Sequence, residues 1–113
     1  MIKRVSLVRR KDGMTHEEFL AHWSGPHVAI VRELPGLRGL RLNPVHRWSD
    51  DAESWDGIGE LWFDSIEAAE SAFASEPFAS RLAADRAKFL GEARVAFVEE
   101  TTIVPPSTSQ ALS

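Results

Sequence analysis

The residue whose type and setting best fit chemistry is His27. It falls on the side of a predicted helix that also carries Phe19, Trp23, Ile30, Val31 and Leu34. An imidazole among apolar side chains must be hydrogen-bonded or put to use. In use, it is a general acid or base poised near neutral pH, able to take and return a proton beside a carbonyl. Otherwise it is a partly buried histidine bonded to a backbone carbonyl. Glu60 is the second candidate, because it shares a strand face with Ile58 and Trp62. Apolar surroundings would raise its pKa and make it a proton carrier, or it would orient His27. The structural alternative for Glu60 is an ion pair with Arg4 or Arg41, or with another subunit. His46, in Asn43-Pro44-Val45-His46-Arg47-Trp48, lies in a loop that could close over a pocket with Trp48 and Trp55 as an apolar lid. The same loop could equally be solvated or form a dimer contact. His22 reads as about a third of a turn off the His27 face, and His16 as surface.

Other chemistries find little support. The four histidines show no HxH or HExxH spacing, so no metal is expected. The absence of cysteine excludes a disulfide framework, a thiolate metal site and a cysteine nucleophile together. Gly57-x-Gly59 leads into a strand, where a phosphate loop would lead into a helix.

The elements that must position these residues follow from periodicity. Ile2 to Arg9 is strand-like, with apolar residues on both faces. Thr15 and Glu18 form a capping box that starts a helix. The helix continues through a kink at Gly25-Pro26 and ends at Pro35-Gly36. Leu37 to Pro44 is a second strand, and an acidic loop covers Ser49 to Asp56. Gly57 to Phe63 is a third strand, with Ile58, Glu60 and Trp62 opposite Leu61 and Phe63. Asp64 with Glu67 caps a helix from Ser65 to about Ala74. Ser75-Glu76-Pro77 restarts the helix, giving a stripe of Phe78, Leu82 and Phe89. A fourth strand is expected from Arg94 to Val104. The order β-α-β-β-α-β is that of a ferredoxin-like α+β fold, an antiparallel four-stranded sheet with helices on one face. The uncovered sheet face would carry apolar residues from at least three strands, and pairing with a second copy through the sheets is the simplest way to bury it.

At 113 residues the chain is one domain's length, with one core. The division is 1–104 as the folded domain and 105–113 as a polar tail. Thirteen Lys and Arg against seventeen Asp and Glu, with no basic run, argue against nucleic acid or an anionic membrane as the partner. No apolar stretch approaches the ~20 residues of a membrane span, and the N-terminus lacks the apolar core of a signal peptide. A cytoplasmic protein is the expectation. Four Trp and six Phe without Tyr suggest a core or cavity walled by apolar rings.

Asp12-Gly13-Met14-Thr15 through Glu18-Phe19, His22-Trp23, Gly25-Pro26-His27 and Leu34-Pro35-Gly36-Leu37 resemble the first half of the EthD family. Gly57-Ile58-Gly59-Glu60-Leu61-Trp62-Phe63-Asp64-Ser65 resembles its third strand and helix start, and Val98-Glu99-Glu100 its last strand. The resemblance implies a dimeric α+β barrel, two ferredoxin-like sheets facing each other. It implies kinship with proteins of ether-degradation operons, methylmuconolactone isomerases and polyketide-modifying cyclases or dehydratases. Most of these work without metal or organic cofactor, so none is expected here. The family motif places a histidine at His27, used at the substrate pocket in lactone-isomerising members. Relatives also carry a histidine in the loop region of His46.

Residues and resemblance together point to a cofactor-independent isomerase or lyase acting on a small cyclic or polyketide-like carbonyl compound. His27, Glu60 and His46 are its expected catalytic groups; Phe19, Trp23, Arg41 and Trp62 are expected to bind the substrate. Two alternatives stand beside it. One is a monooxygenase, for which Trp23, Asn43 and His27 are the residues to watch. The other is a non-catalytic dimeric accessory protein.

Overall fold

The computed structural model describes residues 1–50 and 54–107. Residues 51–53 of the expected acidic loop and 108–113 of the expected tail lie outside them. The chain runs β1 (Ile2–Arg10), α1 (His16–His22), a π-helical turn (Trp23–His27), α2 (Val28–Val31), β2 (Gly39–Pro44), β3 (Gly57–Phe63), α3 (Ile66–Ala74), α4 (Phe78–Phe89) and β4 (Leu90–Val98). The strands form one antiparallel sheet in the order β2-β3-β1-β4. This is the ferredoxin-like arrangement expected from the order of elements.

The register decides which residues share a face, because directly opposed residues in a pleated pair point the same way. Val5 lies opposite Glu60 and Ala96, and Arg41 opposite Glu60. Lys3, Val5, Leu7, Ile58, Glu60, Trp62, Arg41, Ala96 and Val98 therefore share the face away from the helices. Arg4, Ser6, Val8, Gly59, Leu61, Phe63, Leu40, Leu42, Val95 and Phe97 share the helix-covered face. On β3 the alternation is complete: Gly57, Gly59, Leu61 and Phe63 are buried, and Ile58, Glu60 and Trp62 are half-buried. Two apolar clusters lie under the helices. Val31, Leu34, Leu61, Phe63, Ala69, Ala72 and Leu82 form one, and Val8, Phe19, Trp23 and Phe89 the other.

The Thr15–Glu18 capping box closes the start of α1 in both directions. The Gly25-Pro26 interruption does more than kink the helix. It is wound as a π turn with Pro26 inside it, and that winding changes which side chains align. Residues five apart lie about 140° apart around an α-helix, whereas a π turn closes i→i+5 and brings them towards one side. His22 and His27 are so related.

Four expected boundaries move. The first helical run stops at Val31 with Arg32 as its C-cap, four residues before the expected stop at Pro35-Gly36. Asp64 does not cap α3; Ser65 does, accepting from the Ala68 amide, while Asp64 pairs with Arg38 at 3.1 Å. Strand β2 begins at Gly39, two residues later than expected. Strand β4 occupies Leu90–Val98 where Arg94–Val104 was expected. It starts directly after α4 because Leu90 pairs with Arg10, and it stops because Val98 lies opposite Lys3, near the beginning of β1. A strand ends where its partner does.

Gly57 shows how tightly the second cluster is built. A Cβ placed there would overlap the six-membered ring of Trp23, and one at Gly59 would lie 2.9 Å from the Ser6 hydroxyl. Trp23 therefore rests on bare backbone of β3. Gly57→Ala is expected to cost about 1–3 kcal/mol of stability through this overpacking, measured by urea denaturation. A variant as stable as the parent would show that the ring is free to shift.

Candidate active site

His22 and His27 converge on Asp85 of α4. Asp85 Oδ1 lies 2.8 Å from His22 Nε2, and Oδ2 lies 2.9 Å from His27 Nδ1. An ionised carboxylate only accepts, so each of these ring nitrogens must carry the hydrogen. When neutral, His27 thus donates Nδ1–H to Asp85 and keeps its lone pair on Nε2. That nitrogen has no hydrogen-bond partner among the described residues and is not sealed from solvent. Phe89 packs on both imidazoles, at centroid distances of 4.6 Å from His22 and 5.0 Å from His27, and holds the rings in place.

The electrostatics follow from burial. The Asp85 side chain is 6% exposed; burial alone would raise its pKa, but the bonds from His22 and His27 outweigh it and hold the carboxyl below its ordinary value. For His27, burial pushes the pKa down and the bond to Asp85 pulls it up. Arg86 and His22 add to the downward push, and the net shift is down. The imidazole is therefore neutral at pH 7, the form that accepts a proton.

His27 lines a pocket between sheet and helices, walled by Trp23, Val31, Phe73, Phe89, Leu61 and Val95, with Arg4, Ser6 and Arg86 among them. The cavity volume is about 60 Å³, and its open mouth brings the unfilled space to about 580 Å³. The exposed Ala93 and Val95 of β4 border it.

Of the residues expected at the site, the structure brings His27 and Trp23 to this pocket. Phe19 lies behind it, fully buried against Trp23 and Phe89. Glu60 is on the opposite face of the sheet, so it does not meet His27. Its carboxylate accepts from Lys3 Nζ at 2.7 Å and from Asn43 at 3.1 Å. The bond from Lys3 holds its pKa below the ordinary value, where a rise was expected. An ion pair was foreseen for Glu60, but with an arginine; the lysine is the partner found. Arg41 and Trp62 lie on that same face, the guanidinium 5.3 Å from the indole centroid. His46 is exposed on the chain after β2 and lines no part of the pocket. Trp48 donates to the Trp55 carbonyl at 3.1 Å, and Trp55 is covered by Arg9 at 4.2 Å, so the two tryptophans do not lid the His27 pocket. His16, expected at the surface, bonds the buried Asp56 at 2.7 Å.

Asp85 was missed, and so was His22 as its partner. The signal for Asp85 is present: it falls three residues after Leu82 and four before Phe89, inside the apolar stripe of α4. A carboxylate there requires partners. Nothing comparable marks His22, because its alignment with His27 depends on the π turn. Among the described residues, no group of three or more His, Cys, Asp or Glu side chains could hold a metal ion, and no helix is long and apolar enough to cross a membrane.

The fold is that of a small ferredoxin-like α+β protein, here with a histidine–carboxylate pair beside an apolar pocket. Residues 11–93 match the EthD domain, and the chain belongs to that family. An uncharacterized 11.0 kDa protein of Rhodococcus erythropolis, from the thcB-thcC intergenic region, is 31% identical over 88 residues, spanning 77% of this chain and 84% of its own. An EthD family protein of Bacillus halodurans is similar in structure, with a TM-score of 0.73 at 20% identity over 89% of this chain and 99% of its own. A dimeric protein of unknown function from Bacteroides fragilis with a ferredoxin-like fold has a TM-score of 0.63 at 14% identity, over 88% and 95% of the two chains. SnoaB, a cofactor-independent oxygenase from Streptomyces nogalater, has a TM-score of 0.62 at 15% identity, over 93% and 97%.

Proposed function

We propose that the protein is a cofactor-independent enzyme that moves a proton on a small carbonyl compound, with His27 as the base and Asp85 as its positioning partner. The observation that carries this reading is the Nδ1 bond from His27 to Asp85, which leaves the Nε2 lone pair of a neutral imidazole unpartnered in an apolar pocket. Removing a proton beside a carbonyl creates an enolate. Returning the proton at another carbon is isomerisation, and expelling a leaving group is dehydration; both fit an isomerase or lyase. The walls formed by Trp23, Phe73 and Phe89 would exclude water and strengthen the polar contacts. A second reading, a monooxygenase in which the enolate meets oxygen, is favoured by the likeness to the oxygenase SnoaB. Oxygen consumption separates the two.

The test is deuterium exchange from D2O into a panel of cyclic ketones and lactones, followed by NMR. Wild-type protein is expected to catalyse exchange beside one class of carbonyl, His27→Gln to lose it, and Glu60→Gln, on the other face of the sheet, to keep it. Exchange that survives His27→Gln overturns the assignment. The pH dependence follows from the lowered His27 pKa. The active form is neutral, so exchange is expected to rise with pH through an inflection below the ordinary histidine value of about 6.5 and to be level at pH 7–8. An inflection above that value would contradict a desolvated base. Stability follows the same sign: folded His27 binds its proton more weakly than the unfolded chain does. Its contribution is therefore complete above about pH 6.5 and is lost on acidification.

We further propose that the chain pairs with a second copy through the outer sheet face. Val5, Leu7, Ile58, Trp62 and Val98 share that face, and the ferredoxin-like neighbour from Bacteroides fragilis is dimeric. Sedimentation at the mass of one chain would refute the pairing.

A further inference from the structure

The wall of the pocket contributed by Arg4 and Arg86 has no ion-paired acid among the described residues, and Asp85 acts on Arg86 only from beyond ion-pair distance. Arg4, on the helix-covered face of β1, lies opposite Leu61 and Phe97, so its cross-strand neighbours are apolar. Its guanidinium sits 4.2 Å from the Phe73 ring centroid, and that of Arg86 lies 5.9 Å from the same ring. Both are half-buried, both line the pocket, and neither forms an ion pair among the described residues. The nearest carboxylate in sequence to Arg86 is Asp85, whose two oxygens already accept from His22 and His27. Ser6, two residues along β1 and also in the pocket wall, has a hydroxyl with no hydrogen bond among the described residues.

The contrast with the rest of the molecule is informative. Lys3, the buried cation of the outer face, is met by Glu60 at 2.7 Å and Glu100 at 3.0 Å. Arg10 is met by the buried Asp56. Two half-buried like charges beside one aromatic ring cost desolvation and repulsion. The Phe73 ring and the charge of Asp85 near Arg86 offset this only in part, since neither Arg4 nor Arg86 has an ion-pair partner among the described residues. Burial and the neighbouring Arg86 lower the Arg4 pKa to about 10, and burial lowers that of Arg86 against an upward pull from Asp85. At neutral pH both still carry their charge.

The geometry points to a carboxylate seat: Arg4 and Arg86, with the Ser6 hydroxyl beside them, bind the anionic group of a small apolar carboxylate whose body lies against Trp23, Phe73 and Phe89. Guanidinium groups match carboxylate oxygens in shape and charge, and the apolar walls suit a ring or branched hydrocarbon. This deepens the proton-transfer reading and rests on it for one point only, that the seated molecule is the one His27 deprotonates.

The test is calorimetric titration of the full chain at pH 7 with benzoate, and with benzamide as its uncharged counterpart. Wild-type protein is expected to bind benzoate at least about tenfold more tightly than benzamide. Arg86→Gln and Arg4→Gln are each expected to weaken benzoate about tenfold or more while leaving benzamide little changed. Arg4→Lys, which keeps the charge, should hold part of the affinity and carries the test if Arg4→Gln does not fold. Arg81→Gln, on the exposed side of α4, should change nothing. Equal affinity for the two probes, no benzoate binding at millimolar concentration, or indifference to Arg86→Gln would each overturn the proposal. The two readings fail separately. If His27→Gln keeps deuterium exchange while benzoate still depends on the arginines, the base is wrong and the seat stands. If His27→Gln abolishes exchange while benzoate ignores the arginines, the seat is wrong and the base stands.

Discussion

Asp85→Asn is expected to lower the exchange rate by about 10²–10⁴-fold, the range associated with a positioned general base, while the fold is retained. The Asp85 carboxylate accepts on both oxygens, from His22 at 2.8 Å and His27 at 2.9 Å. An asparagine amide has one accepting oxygen and one donating nitrogen, so it can satisfy the present tautomer of only one imidazole. If the amide nitrogen faces His27, it requires the lone pair on Nδ1 and moves the hydrogen to Nε2. The nitrogen that faces the pocket then donates instead of accepting, and the base is lost. If the nitrogen faces His22, His27 keeps its tautomer but loses the negative charge that stabilises its protonated form, and the effect falls at the lower end of the range. Nitrogen NMR of His27 tells the two apart, because the tautomers differ in which ring nitrogen is protonated. A purely structural Asp85 would move stability without moving the exchange rate or its pH profile. Wild-type exchange in a variant whose His27 tautomer has switched would overturn His27 Nε2 as the base, and with it the role of Asp85.

The sequence made the architecture legible because its signals are local. The Thr15–Glu18 box and the alternation of β3 each act over a few residues, and the structure shows them where they were read. The site was legible only as far as its parts obey ordinary periods. His27 and Trp23 were found on the apolar side of a helix, where α-helical spacing places them. His22 was read off that side because the α-helical count was carried through Gly25-Pro26, where the chain winds a π turn. Glu60 was misplaced for a different reason. Its alternation with Leu61 was correct, but alternation does not say which face looks at the helices. Burial of Gly57, Gly59, Leu61 and Phe63 decides it, and the glycines are buried because Trp23 needs the space their missing side chains leave. Asp85 and Arg4 were legible in principle as charges interrupting an apolar stripe and an inward strand face. Each looks like a solvated charge until the facing element is known.

Phe19, with Phe63 and Phe89, is among the residues whose truncation is expected to cost the most stability. Its ring is fully buried, 5.7 Å from Trp23 and 5.4 Å from Phe89 by centroid. Phe19→Ala removes that ring from a closed cluster, and loss of transfer energy plus the cavity left behind is expected to cost about 3–5 kcal/mol. Against the roughly 5–15 kcal/mol typical of a whole domain, that is a large share, visible as a lower urea midpoint at unchanged slope. The effect should also reach the chemistry. Phe89 packs against both His22 and His27, so loosening the ring that backs Phe89 frees the imidazoles to leave Asp85. Phe19→Leu, which refills most of the volume, is expected to recover most of the stability and the exchange rate together. That joint recovery is what a packing role requires. A Phe19→Leu protein with full stability but a weakened grip on the exchanging ketone or lactone would instead make Phe19 part of the binding wall. A cost below about 1 kcal/mol for Phe19→Ala would show that the cluster of Val8, Phe19, Trp23 and Phe89 closes over the gap, and that His27 does not depend on it for its position.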